Sequence, residues 1–351
     1  MSQLERKETN ASLATLMSMI TGFMPARVVH VAAQLGLAEL LANGAKSTQT
    51  LAQETRTHAL SLRRLLRALA SLGLTDEIAP DQFILTAAGA HLQSNVPGSL
   101  RNLALMFGGV QSWDSWGDLL HSVQTGEAAI QHLYGLNNFQ YLAAHPEQAT
   151  IFNDAMSEIT RQVAGAVAAA YDFSRFHTIV DVGGGNGTLI IAILLESPTL
   201  RGIIFDLPTG SAKAAQQIAA AGVADRCEIV VGDFFNSVPT GADSYILKSI
   251  IHDWDDDHSV TVLKNCRRAM SSSGRLLLVE RVMPARMEAS PSHQRMAMID
   301  MNMLVVPGGR ERTEVEYRAL FAAAGFALVH IFPLAALLDK SDVSIIEAIP
   351  V

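Results

Sequence analysis

The chain has 351 residues, 49% of them hydrophobic and 17% charged, which excludes a wholly disordered protein and predicts about two domains. Its net charge of −8 argues against a dominant nucleic-acid partner, because phosphate binding needs a basic field. Two cysteines, a start without an apolar leader and no run approaching ~18 apolar residues predict a cytoplasmic protein without disulfides, signal peptide or membrane span.

Residues 1–100 are predicted to form a mainly helical domain. Apolar residues at helical spacing run through 17–41, with breaks expected at Pro25 and Gly36. Two short helices are expected next, the second ended by Gly73, and then two strands that turn around Pro80. Helix, turn, helix and wing in this order indicate a winged-helix domain.

Such a domain has two possible uses. Arg63, Arg64 and Arg67 on its second short helix would suit DNA binding. The alternative is a winged helix reused for dimerisation, with the arginines on a solvated helix face. The acidic composition favours dimerisation, so a homodimer without a nucleic-acid partner is expected.

Residues 101–170 are predicted to be a helical connector whose apolar and aromatic side chains contribute to a substrate pocket. From residue 171 to 351 the pattern changes to short β-branched runs. These runs are HTIVDVG, RGIIFDLP, CEIVVGDFF, SYILKSIIHDW, GRLLLVERV, FALVHIF and VSIIEAI. Helical patterns between the first six predict a mostly parallel sheet, and the last two predict a C-terminal antiparallel hairpin. The expected fold class is therefore α/β, Rossmann-like.

The strongest motif is DVGGGNG, from Asp181 to Gly187, between a predicted strand and a predicted helix. Glycines such as Gly183 and Gly185 let the backbone approach a ligand closely. The motif does not fit the dinucleotide pattern, because Thr188 stands where a third glycine is needed. An acid at the strand end suits a cationic group such as an amino-acid ammonium. A glycine-rich turn without a ligand is the alternative.

Polar residues follow the other predicted parallel strands. Asp206, Asp233, His252 and Glu280 each come at a carboxyl end, the edge where open α/β sheets bind ligands. Asp206 lies about 20 residues after the glycine loop, as expected for a ribose-binding acid. Asp233 is placed to accept a hydrogen bond from an adenine amino group.

Together these motifs resemble the class I S-adenosylmethionine-dependent O-methyltransferases, in particular the two-domain plant-type and bacterial secondary-metabolite family that includes caffeic acid and anthracycline enzymes. The resemblance covers nearly the whole chain. The motifs that carry it are FNDAMS, VDVGGGNG, FDLP, GDFF, LKSIIHDW, LLLVE and PGGRERT.

The resemblance implies a cofactor site for S-adenosylmethionine, and its product S-adenosylhomocysteine, made by Asp181, Gly183, Gly185, Asp206, Asp233, Phe234, Lys248 and Thr160. The glycines would hold the methionine part, Asp206 the ribose, and Asp233 the adenine. Phe234 stands where the family usually has methionine, which implies a changed contact with the adenine ring. Thr160 stands where the family often has serine.

The resemblance also implies His252 as general base, with Glu280 and Glu311 as the two acids beside it. Glu280 is expected to fix the histidine tautomer, and Glu311 ranks second, with a surface salt bridge as the alternative for Glu311. Substrate contacts are expected from Met156, Asp253, Asn302 and Met303, with Asp300 also a candidate to orient a substrate group. Met296, Met298, Met301 and Met303 are predicted either to line a pocket for a flat aromatic substrate or to be ordinary helix core.

No metal is expected. Asp255, Asp256 and Asp257 with His252 and His258 could suggest a metal site, but three acids that begin a helix favour its macrodipole. The other histidines show no His-x-x-x-His or Cys–His cluster.

The expected activity is methyl transfer to a hydroxyl group, in particular a phenol, of a small aromatic or polyketide-type secondary metabolite. One alternative is a relative that keeps the cofactor but hydroxylates or decarboxylates its substrate. Another is a winged-helix transcription regulator with a ligand-sensing domain.

Overall fold

The computed structural model describes residues 3–94, 96–338 and 341–351. Its contacts divide the chain into two compact units, Met1–Val110 and Gln111–Val351.

The first unit is helical with a small antiparallel sheet. Its elements are α1 (Gln3–Ile20), α2 (Phe23–Gln34), α3 (Leu37–Leu41), β1 (Lys46–Ser47), α4 (Thr48–Thr55), α5 (Ala59–Ser71), β2 (Thr75–Ala79), β3 (Gln82–Leu85), α6 (Ala87–Ala90) and α7 (Arg101–Gly108). The strands pair in the order β1-β3-β2. Leu51, Leu66 and Phe83 are fully buried between the sheet and the helices. The predicted helix, turn, helix and wing are confirmed.

One predicted helix break was wrong. Pro25 lies in the first turn of α2, where its missing N–H leaves no intrahelical hydrogen bond unmade. The chain instead turns at residues 21–22. The break at Gly36 is confirmed, because this glycine has a φ of 63°, which side chains with a Cβ rarely adopt.

Two surfaces of this unit are relevant to the choice between DNA binding and dimerisation. Arg63 lies 3.6 Å from Asp81 and 4.0 Å from Glu77, so acids of the wing partly neutralise it. The long helices α1 and α2 carry apolar side chains that are each more than half exposed. They are Leu13, Leu16, Met17, Met19, Ile20, Phe23 and Met24.

No single helix in the described part of the chain is long and apolar enough to cross a membrane. A pair of segments bent by 41°, Ser12–Ile20 with Phe23–Gln34, meets that test by length and composition only.

The second unit begins with helices and continues as a βα alternation. Its helices are α8 (Val110–Gly117), α9 (Leu119–Thr125), α10 (Ala129–Tyr134), α11 (Asn138–Ala144), α12 (Pro146–Ala170), α13 (Thr188–Glu196), α14 (Ala214–Ala220), α15 (Asp256–Ala269), α16 (Pro291–Val305) and α17 (Glu314–Ala324). Its strands are β4 (Thr178–Val182), β5 (Arg201–Asp206), β6 (Cys227–Val231), β7 (Ser244–Lys248), β8 (Arg275–Met283), β9 (Arg312–Thr313), β10 (Phe326–Pro333) and β11 (Val343–Pro350).

The large sheet has the strand order β10-β11-β8-β7-β4-β5-β6. Strands β8, β7, β4, β5 and β6 are parallel, whereas β11 pairs antiparallel with both β8 and β10. The predicted parallel sheet and C-terminal hairpin are therefore confirmed. The chain passes from β4 outward to β5 and β6 and then returns to β7 on the other side of β4. This reversal beside β4 opens a crevice at the carboxyl edge of the sheet.

The helix expected between β6 and β7 is absent from residues 232–243, all of which the structure describes. Asp233 accepts a hydrogen bond from the backbone N–H of Phe235 and makes a tight turn. Pro239 removes a backbone donor, and Gly241 has a φ of 87°. These turn-forming residues leave no uninterrupted stretch long enough for a packed helix.

Side chains on the two faces of the sheet alternate between two hydrophobic cores. Ile179 and Ile246 point to the face covered by α12 and α13, and Val180 and Tyr245 point to the face covered by α15 and α17. All four are fully buried. Each such side chain contributes about 1.5–3 kcal/mol of burial free energy, which holds the strand ends rigid under the crevice.

Candidate active site

The glycine loop after β4 forms the floor of the crevice. A Cβ on Gly183 would lie 2.3 Å from Cδ1 of Ile250, and one on Gly187 would lie 2.5 Å from Cδ1 of Ile204. At Gly185 an added Cβ would meet nothing within 4 Å, although its φ is 55°. The loop is thus packed tightly at both ends and open in the middle, which leaves room for a ligand against its backbone.

Two carboxylates flank this loop. Asp206 accepts hydrogen bonds from the backbone N–H of Gly185 at 2.7 Å and of Leu207 at 2.6 Å. Burial raises the pKa of Asp206. Asp181 is buried, and its Oδ2 has no hydrogen-bond partner among the described residues. Burial, reinforced by the nearby Asp206, raises the pKa of Asp181 to about 7. A buried carboxyl oxygen without a partner fits a ligand that brings a cationic group.

The ring of Phe234 lies beside the glycine loop, since its Cε1 would be 3.8 Å from a Cβ on Gly183. Its neighbour Asp233 is held by the turn that follows β6. Lys248 ends β7, and burial lowers its pKa to about 8 against the opposing attraction of Glu280. Asp233, Phe234 and Lys248 therefore lie at the carboxyl edge of the sheet, as predicted.

Thr160 and Met156 lie one turn apart on α12. The Thr160 hydroxyl donates to the Met156 carbonyl at 2.7 Å, so its proton is used inside the helix. Thr160 is buried and Met156 is half-buried. Any ligand contact of Thr160 is therefore limited to its oxygen acting as an acceptor.

His252 lies in a short 3-10 helix, Ile251–Asp253, directly after β7. Its Nδ1 lies 2.9 Å from Oε1 of Glu311 and 3.4 Å from Oε2 of Glu280. The order of the two acids is the reverse of the prediction, because Glu311 is the nearer one. Glu311 is also 5% exposed, so the alternative of a surface salt bridge was wrong.

The charges of this trio are strongly coupled. Burial opposes a charge on His252, but Glu280 and Glu311 outweigh it and raise the pKa of the imidazole to about 9. Burial raises the pKa of Glu280, whereas His252 and Arg281 overcome burial and lower the pKa of Glu311. The imidazole is therefore mainly protonated at neutral pH, next to at least one carboxylate.

The other ring nitrogen of His252 faces Asp253. Its Nε2 lies 3.6 Å from Asp253 Oδ1, and burial raises the pKa of Asp253 to about 7. Because Nδ1 is occupied by the two glutamates, Nε2 is the atom left for a substrate proton.

A second layer of contacts holds the trio in place. Glu280 Oε1 accepts hydrogen bonds from the backbone N–H of Ile250 and of Ile251, which lead directly into His252. Asp300 accepts a hydrogen bond from the Glu311 N–H at 2.9 Å. This contact gives Asp300 a part in positioning Glu311, and its role in orienting a substrate group stays a prediction.

Arg312 was missed by sequence reasoning and is completely buried. It donates to the carbonyl oxygens of Ile251 and Trp254 and to Asp256. It thereby holds the backbone on both sides of His252. The only signal for Arg312 was its position in the RERT segment after two glycines. From that segment the sequence analysis predicted a role for Glu311 alone.

The glycine loop and His252 belong to one continuous site. Ile250 contacts the loop at Gly183, Glu280 binds the Ile250 N–H, and Glu280 also lies beside His252. Only two residues separate the loop from the imidazole in this chain of contacts.

A cluster of aromatic rings lies around Trp254, two residues after His252. Trp254 stacks on Phe139 at 5.2 Å between centroids, and Phe139 meets Phe152 edge-on at 6.5 Å. Phe235 packs edge-on against Trp254 at 4.7 Å. The sequence indicated aromatic residues in the connector, but not that α11, α12 and the His252 loop would bring them together.

Helix α16 packs against α9 and α10. Met296 and Met303 are buried, whereas Met298 is 49% exposed, so the four methionines do not form one lining surface. Asn302 Oδ1 accepts a hydrogen bond from the Trp116 indole at 3.0 Å, which joins α16 to α8.

The three acids after Trp254 stand at the start of α15. Asp255 caps α15 by accepting from the His258 N–H, and Asp256 pairs with Arg310 and Arg312. These contacts agree with the interpretation of the run as a helix start.

Comparison with known proteins identifies the family. Residues 116–327 match the O-methyltransferase domain, and residues 17–93 match the O-methyltransferase dimerisation domain. Phenazine O-methyltransferase PhzM of Lysobacter antibioticus is 46% identical over 336 residues, which cover 96% of each chain. The crystal structure of LaPhzM has a TM-score of 0.91 and 45% identity, with 96% of this chain and 99% of that chain covered.

The chain belongs to the two-domain O-methyltransferase family. It is an S-adenosylmethionine-dependent enzyme, as the resemblance of its motifs implied, and relatives of known structure hold S-adenosylmethionine or S-adenosylhomocysteine. The same family includes aclacinomycin 10-hydroxylase RdmB of Streptomyces purpurascens, 34% identical, with 91% of this chain and 86% of that protein covered.

The site of this O-methyltransferase fits its cofactor on structural grounds. The open backbone at Gly185 leaves space for the amino-acid part, and the unpartnered oxygen of Asp181 matches an ammonium group. Phe234 offers an apolar ring beside the loop.

Proposed function

We propose that this O-methyltransferase methylates a phenolic hydroxyl of a flat aromatic secondary metabolite and that His252 takes the hydroxyl proton. The observation that carries the proposal is the buried imidazole, which has two glutamates on Nδ1 and is joined through Ile250 to the glycine loop. Its Nε2, beside Asp253, is the nitrogen left for substrate.

We assign the cofactor contacts to the residues at the sheet edge. Asp181, Gly183 and Gly185 hold the methionine part, and Asp206 holds the ribose. The adenine ring lies by Asp233 and Phe234, with Lys248 nearby and Thr160 as an acceptor from α12. When bound, S-adenosylmethionine supplies an electrophilic sulfonium methyl group.

The raised pKa of His252 suits a phenol. A phenol has a pKa of about 10, so an imidazole at about 9 exchanges its proton with little free-energy difference. Glu311 holds the ring in one tautomer and stabilises the imidazolium that results. A neutral histidine with bound phenol and an imidazolium with bound phenolate contain the same protons, so both describe the reactive state.

The aromatic and methionine side chains argue for a planar substrate. Phe139, Phe152 and Trp254 form one aromatic cluster, and Trp254 directly follows Asp253 in the chain. Met156 lies one turn beyond Phe152 on α12. Asn302 and Met303 on α16 are assigned to the far side, with Met303 buried. Residues 101–170 would then contribute to the substrate pocket, residues 1–100 to dimerisation and residues 171–351 to catalysis.

A homodimer is the proposed assembly. The match to a dimerisation domain and the exposed apolar side chains of α1 and α2 support it. Sedimentation at several concentrations would test it, and a stable active monomer would contradict it.

The activity is tested by incubating the protein with methyl-labelled S-adenosylmethionine and a panel of fused-ring phenols, their O-methyl ethers and matched arenes without hydroxyl groups. Label is expected only in products of the phenols. Oxygenated or decarboxylated products without label would instead support the alternative of an enzyme that keeps the cofactor but does not methylate.

A further inference from the structure

A group of aspartate and histidine side chains lies outside the catalytic site, where α9 and α10 meet. It contains Asp118, which precedes α9, His121 on α9 and His132 on α10. One potential ligand atom of each residue lies within 4.8 Å of those of the other two. Eleven positions separate the two histidines, so no spacing motif in the sequence indicates the cluster.

The imidazole rings of His121 and His132 lie against each other. Their rings stack in parallel, with centroids 3.7 Å apart and an angle of 8° between planes. Stacking brings the two imidazoles side by side, and imidazole binds metal ions through a ring nitrogen.

Each histidine also has a carboxylate on one nitrogen. His132 Nδ1 lies 2.7 Å from Asp118 Oδ2, and His121 Nε2 lies 2.9 Å from Glu127 Oε2. Metal-binding histidines usually have the second ring nitrogen on a carboxylate, which fixes the tautomer and orients the ring. Glu127 has that position for His121, whereas Asp118 is close enough to act as a ligand itself.

Asp118 has no competing task in the helix beside it. It stands at the N-cap position of α9, yet its side chain makes no capping hydrogen bond. The carboxylate is instead turned toward His132 on the neighbouring helix. The carboxylate and the two imidazoles thus offer ligand atoms within 4.8 Å of one another.

We propose that Asp118, His121 and His132 bind a zinc-class divalent cation, with Glu127 orienting His121. Two imidazoles and one carboxylate suit Zn²⁺, which accepts mixed nitrogen and oxygen ligands and leaves its remaining position to water. The site is distinct from His252 and its glutamates, and it requires no metal in methyl transfer.

Binding there would link α9 to α10. Both helices pack against α16, which carries Asn302 and Met303. The connection between them also touches the segment before Glu311, since a Cβ on Gly308 would lie 3.4 Å from Cβ of Ala128. A cation would therefore stiffen the helices on the substrate side of the enzyme.

Calorimetric titration of the full chain with ZnCl₂, after treatment with a chelator, tests the proposal. We expect one ion per chain, at least tenfold weaker binding in His121→Ala and in His132→Ala, and a Zn²⁺-dependent rise in Tm that both variants lose. Titration with Co²⁺ should give the visible absorption of a nitrogen-ligated ion in the wild type only.

His258→Ala is the matched control, because His258 is another exposed histidine on an acid, 2.8 Å from Asp255. It should bind Zn²⁺ like the wild type. Asp118→Asn, which keeps size and hydrogen bonding, should also weaken Zn²⁺ binding. It replaces either alanine variant that fails to fold. Absence of Zn²⁺ binding in the wild type, or binding that survives these changes but is lost in Glu311→Gln, would overturn the proposal.

Discussion

Glu311 Oε1 lies 2.9 Å from Nδ1 of His252, closer than the 3.4 Å that separates this nitrogen from Glu280. The two acids therefore have different tasks. Glu311 bonds the ring directly, whereas Glu280 binds the backbone N–H groups of Ile250 and Ile251 and adds its charge from a greater distance. One carboxylate orients the base, and the other ties the base to the cofactor loop.

The pH dependence of kcat/KM should reveal this arrangement. The pKa of His252 is raised to about 9, so the proton stays on the imidazole at neutral pH and leaves as the pH rises through that value. Because proton acceptance requires the neutral ring, kcat/KM for a phenol substrate should increase from pH 7 to 9 and then level off.

Glu311→Gln should move that rise to lower pH, since one of the charges that hold the proton is gone. Glu314→Gln is the control, because Glu314 is exposed and paired with Arg318. A profile whose midpoint is the same in the Glu311 variant would show that this acid does not set the protonation of His252.

His252→Gln should lower kcat by about 10²–10⁴ while the Kd for S-adenosylhomocysteine stays nearly constant. Glutamine keeps a polar group near Glu311 but cannot accept a proton at neutral pH. The rate is measured with saturating phenol and the affinity by calorimetry. Full turnover in this variant would mean that positioning alone carries the reaction.

Gly185→Ala should weaken cofactor binding at least tenfold without a clash inside the protein. The added methyl group enters the open part of the glycine loop, where no protein atom lies within 4 Å. Gly241→Ala is the control, because it has a positive φ of 87° and equally free surroundings but lies in a distant turn. Equal Kd values for S-adenosylhomocysteine in the two variants would remove Gly185 from the cofactor site.

Local patterns in the sequence were sufficient to predict the strand ends and the glycine loop that form the site. Strand ends and the glycine loop each depend on neighbouring residues, as does the capping box of Thr313 and Glu316 that begins α17. The edge residues Asp206, His252 and Glu280 followed because parallel strands align their carboxyl ends.

The contacts that sequence reasoning missed join segments far apart in the chain. Asp300 meets Glu311 from α16, Arg312 reaches back to the His252 loop, and Trp116 bonds Asn302 across 186 positions. Such pairs depend on helix packing, which no local periodicity encodes. The same reason explains the reversed order of Glu280 and Glu311, since their distances to the ring are set by how β8 and the segment after α16 pack.

Gly309→Ala should lower turnover by about 10²-fold even though Gly309 touches no reacting atom. A Cβ at this position would lie 2.1 Å from the His252 carbonyl oxygen and 2.4 Å from the Asp253 carbonyl carbon, so the His252 backbone must move. A 1 Å displacement of a base costs on the order of 10²-fold in rate. The control is Gly165→Ala, an exposed position within α12 where no atom is near and alanine stabilises a helix by about 0.5–1 kcal/mol. Both variants are compared for kcat, for Tm and for S-adenosylhomocysteine affinity. A folded Gly309 variant with normal kcat would show that the loop before Glu311 does not position the base.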